Sequence, residues 1–504
     1  MEKTAVIIGA GLGGLFTGAL LAKEGFKVTI LEKNATIGGG LQTFQRFGEA
    51  FDTGMHIVGG LSPDGNIMKI CKYLGIADKI QIRDVDDDCT DRLYFDEDKS
   101  VYDVAKGKEG FVESLAAYFP EERENLQRYV AAICELADQV DLFNLRHSNG
   151  VMNLFAHSKD FLMAATGFIA KYIQNKKLQY ILAYMNPLYG GRADFTPAYI
   201  HAVISVLYLK GACRFVGGSS RFADLLADVV TAHGGTVSVN EKVTSIDVTD
   251  RKVEQIRTSK GNTYQADYYI SAIHPCSMLK MVDEKAFPKS YRERLEIVPN
   301  AYSAFSLFIK LKPNSFPYIN HSEFYMTKYE DVWDFGSTTK PWPLGFLFMT
   351  PPKTDQGEYA SKVIVMAPMA FELAKEWENT TVGKRGKDYE AWKEKQTEAL
   401  LDKVEDIHPG FRQCIDKINT ASPLTIRDFY DVKDGSICGF SKDSNNIALS
   451  QLPVVTKVSN LYLTGQNITL HGFCGVPLTA ITTCEAILGI NHIIDKINEC
   501  TESA

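Results

Sequence analysis

None of the ten cysteines is spaced as C-x-x-C or as a metal-ligand pair. Neither a disulfide framework nor a metal site is indicated, and reduced thiols in a cytoplasmic setting fit best. Basic charge is also short: 54 Lys and Arg face 62 Asp and Glu, a net charge of −8, with no patch to collect phosphates. That balance excludes nucleic acid as an expected partner. Outside residues 5–22, no apolar stretch reaches about eighteen residues without a charge, so a spanning helix is not supported and any membrane contact is peripheral. Residues 5–22 mimic a signal peptide, but their charged flank is minimal and glycines crowd the run, so nothing is expected to export the protein. Internal repeats and low-complexity stretches are missing, and no second G-x-G-x-x-G sits in a strand–helix context, so a dedicated nicotinamide domain is not expected. Length and composition are ordinary: 504 residues, 45% hydrophobic, enough for two or three domains with large cores.

What is present begins at residue 4. Thr4-Ala-Val-Ile-Ile8 reads as a buried parallel strand and runs into Gly9-Ala-Gly11-Leu-Gly13-Gly14. A small-residue helix follows, then a second strand at residues 27–31 that ends on Glu32. Gly9 allows a tight turn, Gly11 lets backbone approach a pyrophosphate, and Gly14 lets the helix lie close to the strand. The helix N-terminus favours the phosphate charge, and Glu32, about twenty residues on, is placed to accept from a ribose. This pattern, in this context, binds a dinucleotide.

The next segment, Glu32-Lys33 through Gly38-Gly39-Gly40, resembles the second glycine motif of the phytoene desaturase, carotenoid isomerase and retinol saturase family, in the amine-oxidase flavoprotein superfamily. Phe51-Asp-Thr-Gly54-Met-His56 resembles that family's signature near the flavin, closest in wording to the retinol saturase branch. The resemblance implies FAD. Gly40 stands where many relatives carry Arg, so Lys33 and Arg46 are candidates to supply positive charge. It continues through residues 214–275, where it implies an adenine contact from the backbone of Val243, and residues 460–488. There Gly465 is followed by Gln466 and Asn467 where relatives carry Asp, so amides would hold the ribityl chain, with Gly475 and Val476 beside the ring. The implied fold is α/β: a discontinuous Rossmann-type FAD-binding domain (residues 1–90, 205–285 and 425–495) and an α+β substrate domain (91–204 and 286–424). A mixed or antiparallel sheet of the second domain would roof the flavin, with a helical lid or membrane-contact part.

Along the chain, periodicity predicts helices over 66–74, 109–140 with a break at Pro120, 198–209, 222–233, 384–404 and 477–488. Pro477 is expected in the first turn of the last of these. Strands are expected near 92–104, 236–239, 301–311, 363–368 and 460–464, with a hairpin turning at Asp250-Arg-Lys. Residues 83–88 read as a solvated acidic turn. Residues 151–179, with Leu154, Phe155, Phe161, Phe168 and Ile173 against four lysines, read as a core helix with a basic face or as a lipid-contact helix.

The family resemblance implies hydride transfer between a flavin and an apolar substrate. His56 and His471 are the candidate proton donors, because histidine holds and releases a proton near neutral pH. Cys474 reads as small-residue packing, since no charged neighbour in sequence would lower its pKa, with a redox-active thiol or a covalent flavin anchor as the alternatives. NADH or NADPH docking at the flavin is one candidate reductant. Three readings stand: a saturase of a polyene or other lipid C=C bond, a carotenoid desaturase or isomerase, and a flavin-free lipid-binding protein of the Rab GDP-dissociation inhibitor type.

Overall fold

In the computed structural model, residues 2–148 and 157–502 are described. The central sheet is parallel and drawn from three distant parts of the chain. Its order is Thr236–Ser238, Lys27–Leu31, Thr4–Ile8, Tyr268–Ser271 and Leu461–Leu463. These strands are short and rich in Val, Ile and Leu because both faces are covered by packed elements. On one face the helix Leu12–Lys23 is buried from Leu12 to Ala22, between the helices Ser220–Ala232 and Gly472–Leu488. The signal-like run at residues 5–22 is therefore the centre of a core. A Cβ at Gly18 would stand 2.7 Å from Ile30 Cδ1, so small residues on this helix set how closely it lies on the sheet.

A second, seven-stranded sheet runs Ile415–Ala421, Ser303–Leu311, Lys362–Met369, Gly345–Met349, Ser322–Met326, Asp91–Phe95 and Ser100–Val104. It is mixed: Ser322–Met326 pairs parallel with Asp91–Phe95, and the other neighbours are antiparallel. Alternation in Ser303–Leu311 divides its two faces. Phe305, Leu307 and Ile309 pack with Leu400, Leu401 and Val404 of the helix Lys387–Ile407, while Ala304 and Ser306 face the cavity described below.

Several expected elements shift. The helix over 384–404 is Lys387–Ile407, and that over 222–233 is Ser220–Ala232. Arg83 and Asp84 lie in the strand Ile82–Asp84, because Arg83 pairs in register with Arg214 of Ala212–Phe215. The helix expected at 477–488 begins five residues early, at Gly472, so Pro477 is inside it. Pro477 lacks an N–H and cannot bond to the Phe473 carbonyl, but the first turn is already formed by then. Within residues 151–179, Leu154 and Phe155 lie outside the described residues. The remainder forms two short helices, Ala165–Tyr172 and Lys176–Ile181, with Phe161, Phe168, Ile169 and Ile173 buried in the main core. Among the described residues no single helix is long and apolar enough to cross a membrane.

Candidate active site

The carboxyl ends of the parallel strands open onto a cavity of about 310 Å³. At one wall Ile8 leads into Gly9, whose φ of +98° suits glycine. Gly11 is the N-cap of Leu12–Lys23, with no side-chain cap and no acidic residue in the first turn. The helix N–H groups there are free to meet an anion. A Cβ on Gly11 would find nothing within 4 Å, whereas one on Gly14 would overlap the Gly9 carbonyl and stand 3.2 Å from Ala272 Cβ. Gly11 thus keeps space open on the cavity, and Gly14 allows helix and turn to touch.

Glu32 ends the second strand, buried, and lines the cavity. Ala10 N–H donates to its Oε2 at 2.9 Å, and Asn34 N–H to its Oε1 at 2.8 Å. The carboxylate is fixed before any ligand arrives. Lys33 also lines the cavity, but its ammonium donates to the Asp428 carbonyl at 3.2 Å and lies 3.8 Å from Asp431. Arg46 is exposed on the strand Thr43–Arg46 and does not line the cavity.

Of the other expected cofactor contacts, Gly13, Gly39, Gly40, Gly54, Val243, Gly465, Gln466, Asn467 and Val476 all line this one cavity. Gly14 and Gly475 do not; a Cβ at Gly475 would stand 2.5 Å from Leu470 Cβ, so its part is packing. Asn467 Oδ1 accepts from Phe440 N–H at 3.1 Å, so the amide oxygen is already engaged. Asp52 of the Asp-Thr-Gly54 motif is buried beneath. Its Oδ1 accepts from Ser219 N–H at 2.7 Å, Ser219 Oγ at 2.9 Å and Thr43 Oγ1 at 2.9 Å, tying this motif to the turn that opens Ser220–Ala232.

His56 and His471 do not line the cavity. Both are buried with neither ring nitrogen hydrogen-bonded. Burial pushes the His56 imidazole down to about 4, with Asp52 opposing and Arg214 adding to the shift. Burial and then Lys442 push His471 down to about 3. Both rings are neutral at pH 7. The Cys474 thiol is pushed up to about 12 by burial and lies 3.3 Å from Asn66 Nδ2, which favours packing over thiolate chemistry.

The structure adds further residues to this lining. Tyr208, in the helix Ala198–Leu209, lines the cavity and donates to the Ile57 carbonyl at 3.1 Å. Tyr430 donates to Thr53 Oγ1 at 2.8 Å. His274 also lines the cavity, three residues past Tyr268–Ser271, and burial pushes its imidazole down to about 4. Its place just beyond a parallel strand's carboxyl end was a legible signal. Met366 and Ser306, paired across the mixed sheet, complete the opposite wall.

A parallel sheet with a glycine turn, an uncapped helix start and a fixed carboxylate at its carboxyl ends defines a dinucleotide-binding protein. The opposite wall carries apolar side chains such as Met366 and Ala304. The chain belongs to the family of flavin containing amine oxidoreductases, whose family model matches residues 12–379. It is an FAD-dependent oxidoreductase, which sets aside the flavin-free alternative. It is 27% identical to the all-trans-retinol 13,14-reductase of Rattus norvegicus, across 97% of this chain and 86% of that protein. It is 25% identical to prolycopene isomerase 2 of an Oncidium hybrid cultivar, across 94% of this chain and 83% of that protein. Among solved structures it is similar to cyclohexylamine oxidase from Brevibacterium oxydans IH-35A. That match has a TM-score of 0.62 and 15% identity, and covers 99% of this chain and 100% of the other.

Proposed function

We propose that this protein is a saturase of an apolar polyene or isoprenoid lipid, adding a hydride and a proton across a C=C bond. The observation that carries the reading is the lining of the cavity. Its carboxylates are Glu32, engaged by backbone N–H groups, and Asp431, beside Lys33. Met55, Ile57, Leu188, Met366 and Phe473 supply an apolar surface that offers an ammonium substrate no counter-charge. Similarity to a retinol 13,14-reductase over nearly the whole chain supports the same substrate class.

In this reading the residues fit FAD. The turn at Gly9–Gly14 and its helix start hold the pyrophosphate, Glu32 the ribose, Val243 the adenine, and Gly465 to Asn467 the ribityl chain. The start of Gly472–Leu488 stabilises negative charge on the ring. Bound FAD supplies the hydride chemistry. The chain places the substrate against it and keeps water out. The neutral His56 and His471, buried with no hydrogen-bond partner on either ring nitrogen, then pack behind the wall and hold no proton to give at pH 7. The parts of the chain at 1–90, 205–285 and 425–495 serve the cofactor, and those at 91–204 and 286–424 the substrate. NADH or NADPH docking at the flavin is the proposed reductant, and peripheral membrane contact the proposed route of substrate delivery.

The test is purification for a flavin spectrum, then anaerobic mixing of dithionite-reduced enzyme with all-trans-retinol. Bleaching of the polyene with stoichiometric flavin reoxidation is expected; a reduced flavin that stays reduced rejects the saturase. The likeness to a prolycopene isomerase favours the second reading, desaturase or isomerase. An isomerase would yield geometric isomers of a carotenoid with no net change in flavin redox state.

A further inference from the structure

We propose that Tyr208 is the proton donor, and that Asp91 resupplies it through Tyr184 and one water held in a second, small cavity. This rests on the saturase reading above. The small cavity is about 20 Å³, and Tyr208 is the one described residue that lines both it and the main cavity. Hydroxyl-bearing residues surround it: Thr90, Tyr129, Tyr184, Ser205 and Tyr208. A space of that size admits one water when two to four polar groups are present to hold it. Tyr184 Oη donates to Asp91 Oδ2 at 2.8 Å, and Thr90 Oγ1 reaches the same oxygen at 3.3 Å. Asp91 is buried, and its Oδ1 has no hydrogen-bond partner. An idle oxygen on a buried acid carries a desolvation cost that a water or a bound proton offsets.

The step balances as follows. Bound reduced FAD would supply a hydride, and with it two electrons, to one carbon of the C=C bond. The Tyr208 O–H, which donates to the Ile57 carbonyl at 3.1 Å in the substrate-free protein, turns to give its proton to the other carbon. The water returns a proton to the Tyr208 oxygen, Tyr184 returns one to the water, and protonated Asp91 returns one to Tyr184. Asp91 is reprotonated from solvent between turnovers. Burial pushes Asp91 up to about 6, against the opposing pull of Tyr184, Thr90, Arg214 and His321. Cys89 and Tyr208 also feel its charge. Part of the population therefore carries the proton near neutral pH.

Three proteins test this: FAD-loaded wild type, Tyr208→Phe and Asp91→Asn, each first checked for flavin content and thermal melting. Infrared difference spectra of the substrate-free proteins across pH should show a carboxylic acid band that titrates near pH 6 in wild type. It should be missing in Asp91→Asn. In single turnovers of dithionite-reduced enzyme with all-trans-retinol, Tyr208→Phe should slow flavin reoxidation by about 100-fold or more, the worth of a positioned acid. Asp91→Asn should lose the pH inflection and retain a slower, pH-flat rate. Wild-type rates and solvent isotope effect in Tyr208→Phe, or an unchanged band and pH profile in Asp91→Asn, overturn the relay. A wild type that never oxidises its flavin with retinol overturns the saturase reading and the donor role with it. The infrared titration separately reports whether Asp91 binds a proton.

Discussion

Replacing Gly14 and Gly11 by alanine, one at a time, separates the part of the glycine turn that serves folding from the part that serves FAD. Gly14 lies in the first turn of Leu12–Lys23, where intrinsic helix propensity favours alanine by up to about 1 kcal/mol. Its Cβ, however, would overlap the Gly9 carbonyl oxygen and stand 3.1 Å from that carbonyl carbon. Backbone cannot swing away as a side-chain end can, so the overpacking cost of about 1–3 kcal/mol should exceed the propensity gain. A net loss of about 1–2 kcal/mol is expected in the apoprotein. Gly11 has φ −74° and ψ −179°, which alanine adopts freely, and its Cβ meets nothing within 4 Å. Gly11→Ala should leave the apoprotein unchanged or up to about 1 kcal/mol more stable through the unfolded chain. It should still lose FAD affinity by about tenfold or more, since 1.4 kcal/mol of steric cost suffices. Urea unfolding of the apoproteins and flavin-fluorescence titration measure the two quantities. An Gly11→Ala protein that binds FAD like wild type, or a Gly14→Ala protein that unfolds at the wild-type midpoint, refutes the reasoning.

Other consequences can be checked directly. Glu32→Gln keeps the shape but turns an N–H2 group toward the Ala10 or Asn34 N–H, so one charge-assisted hydrogen bond worth about 1.5–3 kcal/mol is lost; weaker FAD binding and a lower melting temperature are expected, and unchanged values for both would contradict the assignment. Asp52→Ala should cost about 2–3 kcal/mol in denaturant unfolding, because the Ser219 N–H and the Thr43 hydroxyl lose their acceptor while the Ser219 hydroxyl keeps the Leu41 carbonyl. Buried Glu323 accepts from His408 at 2.5 Å and is held down at about 2 by its histidine neighbours His321 and His408, against the opposing effect of burial. A depressed carboxyl contributes stability above its unfolded value that is lost as pH falls, here between about 4.5 and 2, and worth about 3 kcal/mol. Glu323→Gln should flatten that part of the stability–pH curve, and an identical slope in both proteins would count against it. Cys474, raised to about 12, should resist a thiol-labelling reagent at pH 8 in the native state and react only on unfolding, as mass spectrometry would show.

The cofactor half of the protein was legible because its signals are local. The strand, glycine turn, helix and Glu32 lie within the first 32 residues, and each constrains its neighbours by backbone geometry alone. The helices Asn66–Leu74 and Ala198–Leu209 were equally legible, since their apolar spacing and ends are written in adjacent residues. The start of Gly472–Leu488 was misplaced because Pro477 looks like a first-turn residue, while the packing of Leu470 against Gly475 that sets the true start is a contact of folded chain.

Sequence by itself pointed to a bound dinucleotide and singled out Gly9, Gly11, Gly13 and Glu32, which line one cavity, because a βαβ turn needs particular residues at fixed spacing. The tertiary structure alone decided which distant side chains share one cavity. Tyr208, His274 and Met366 are far apart in sequence, and only the meeting of a parallel sheet with a mixed one brings them to one cavity. It likewise decided that His56 and His471 lie behind the wall, since burial and direction are properties of packing and a residue's chemistry does not encode them.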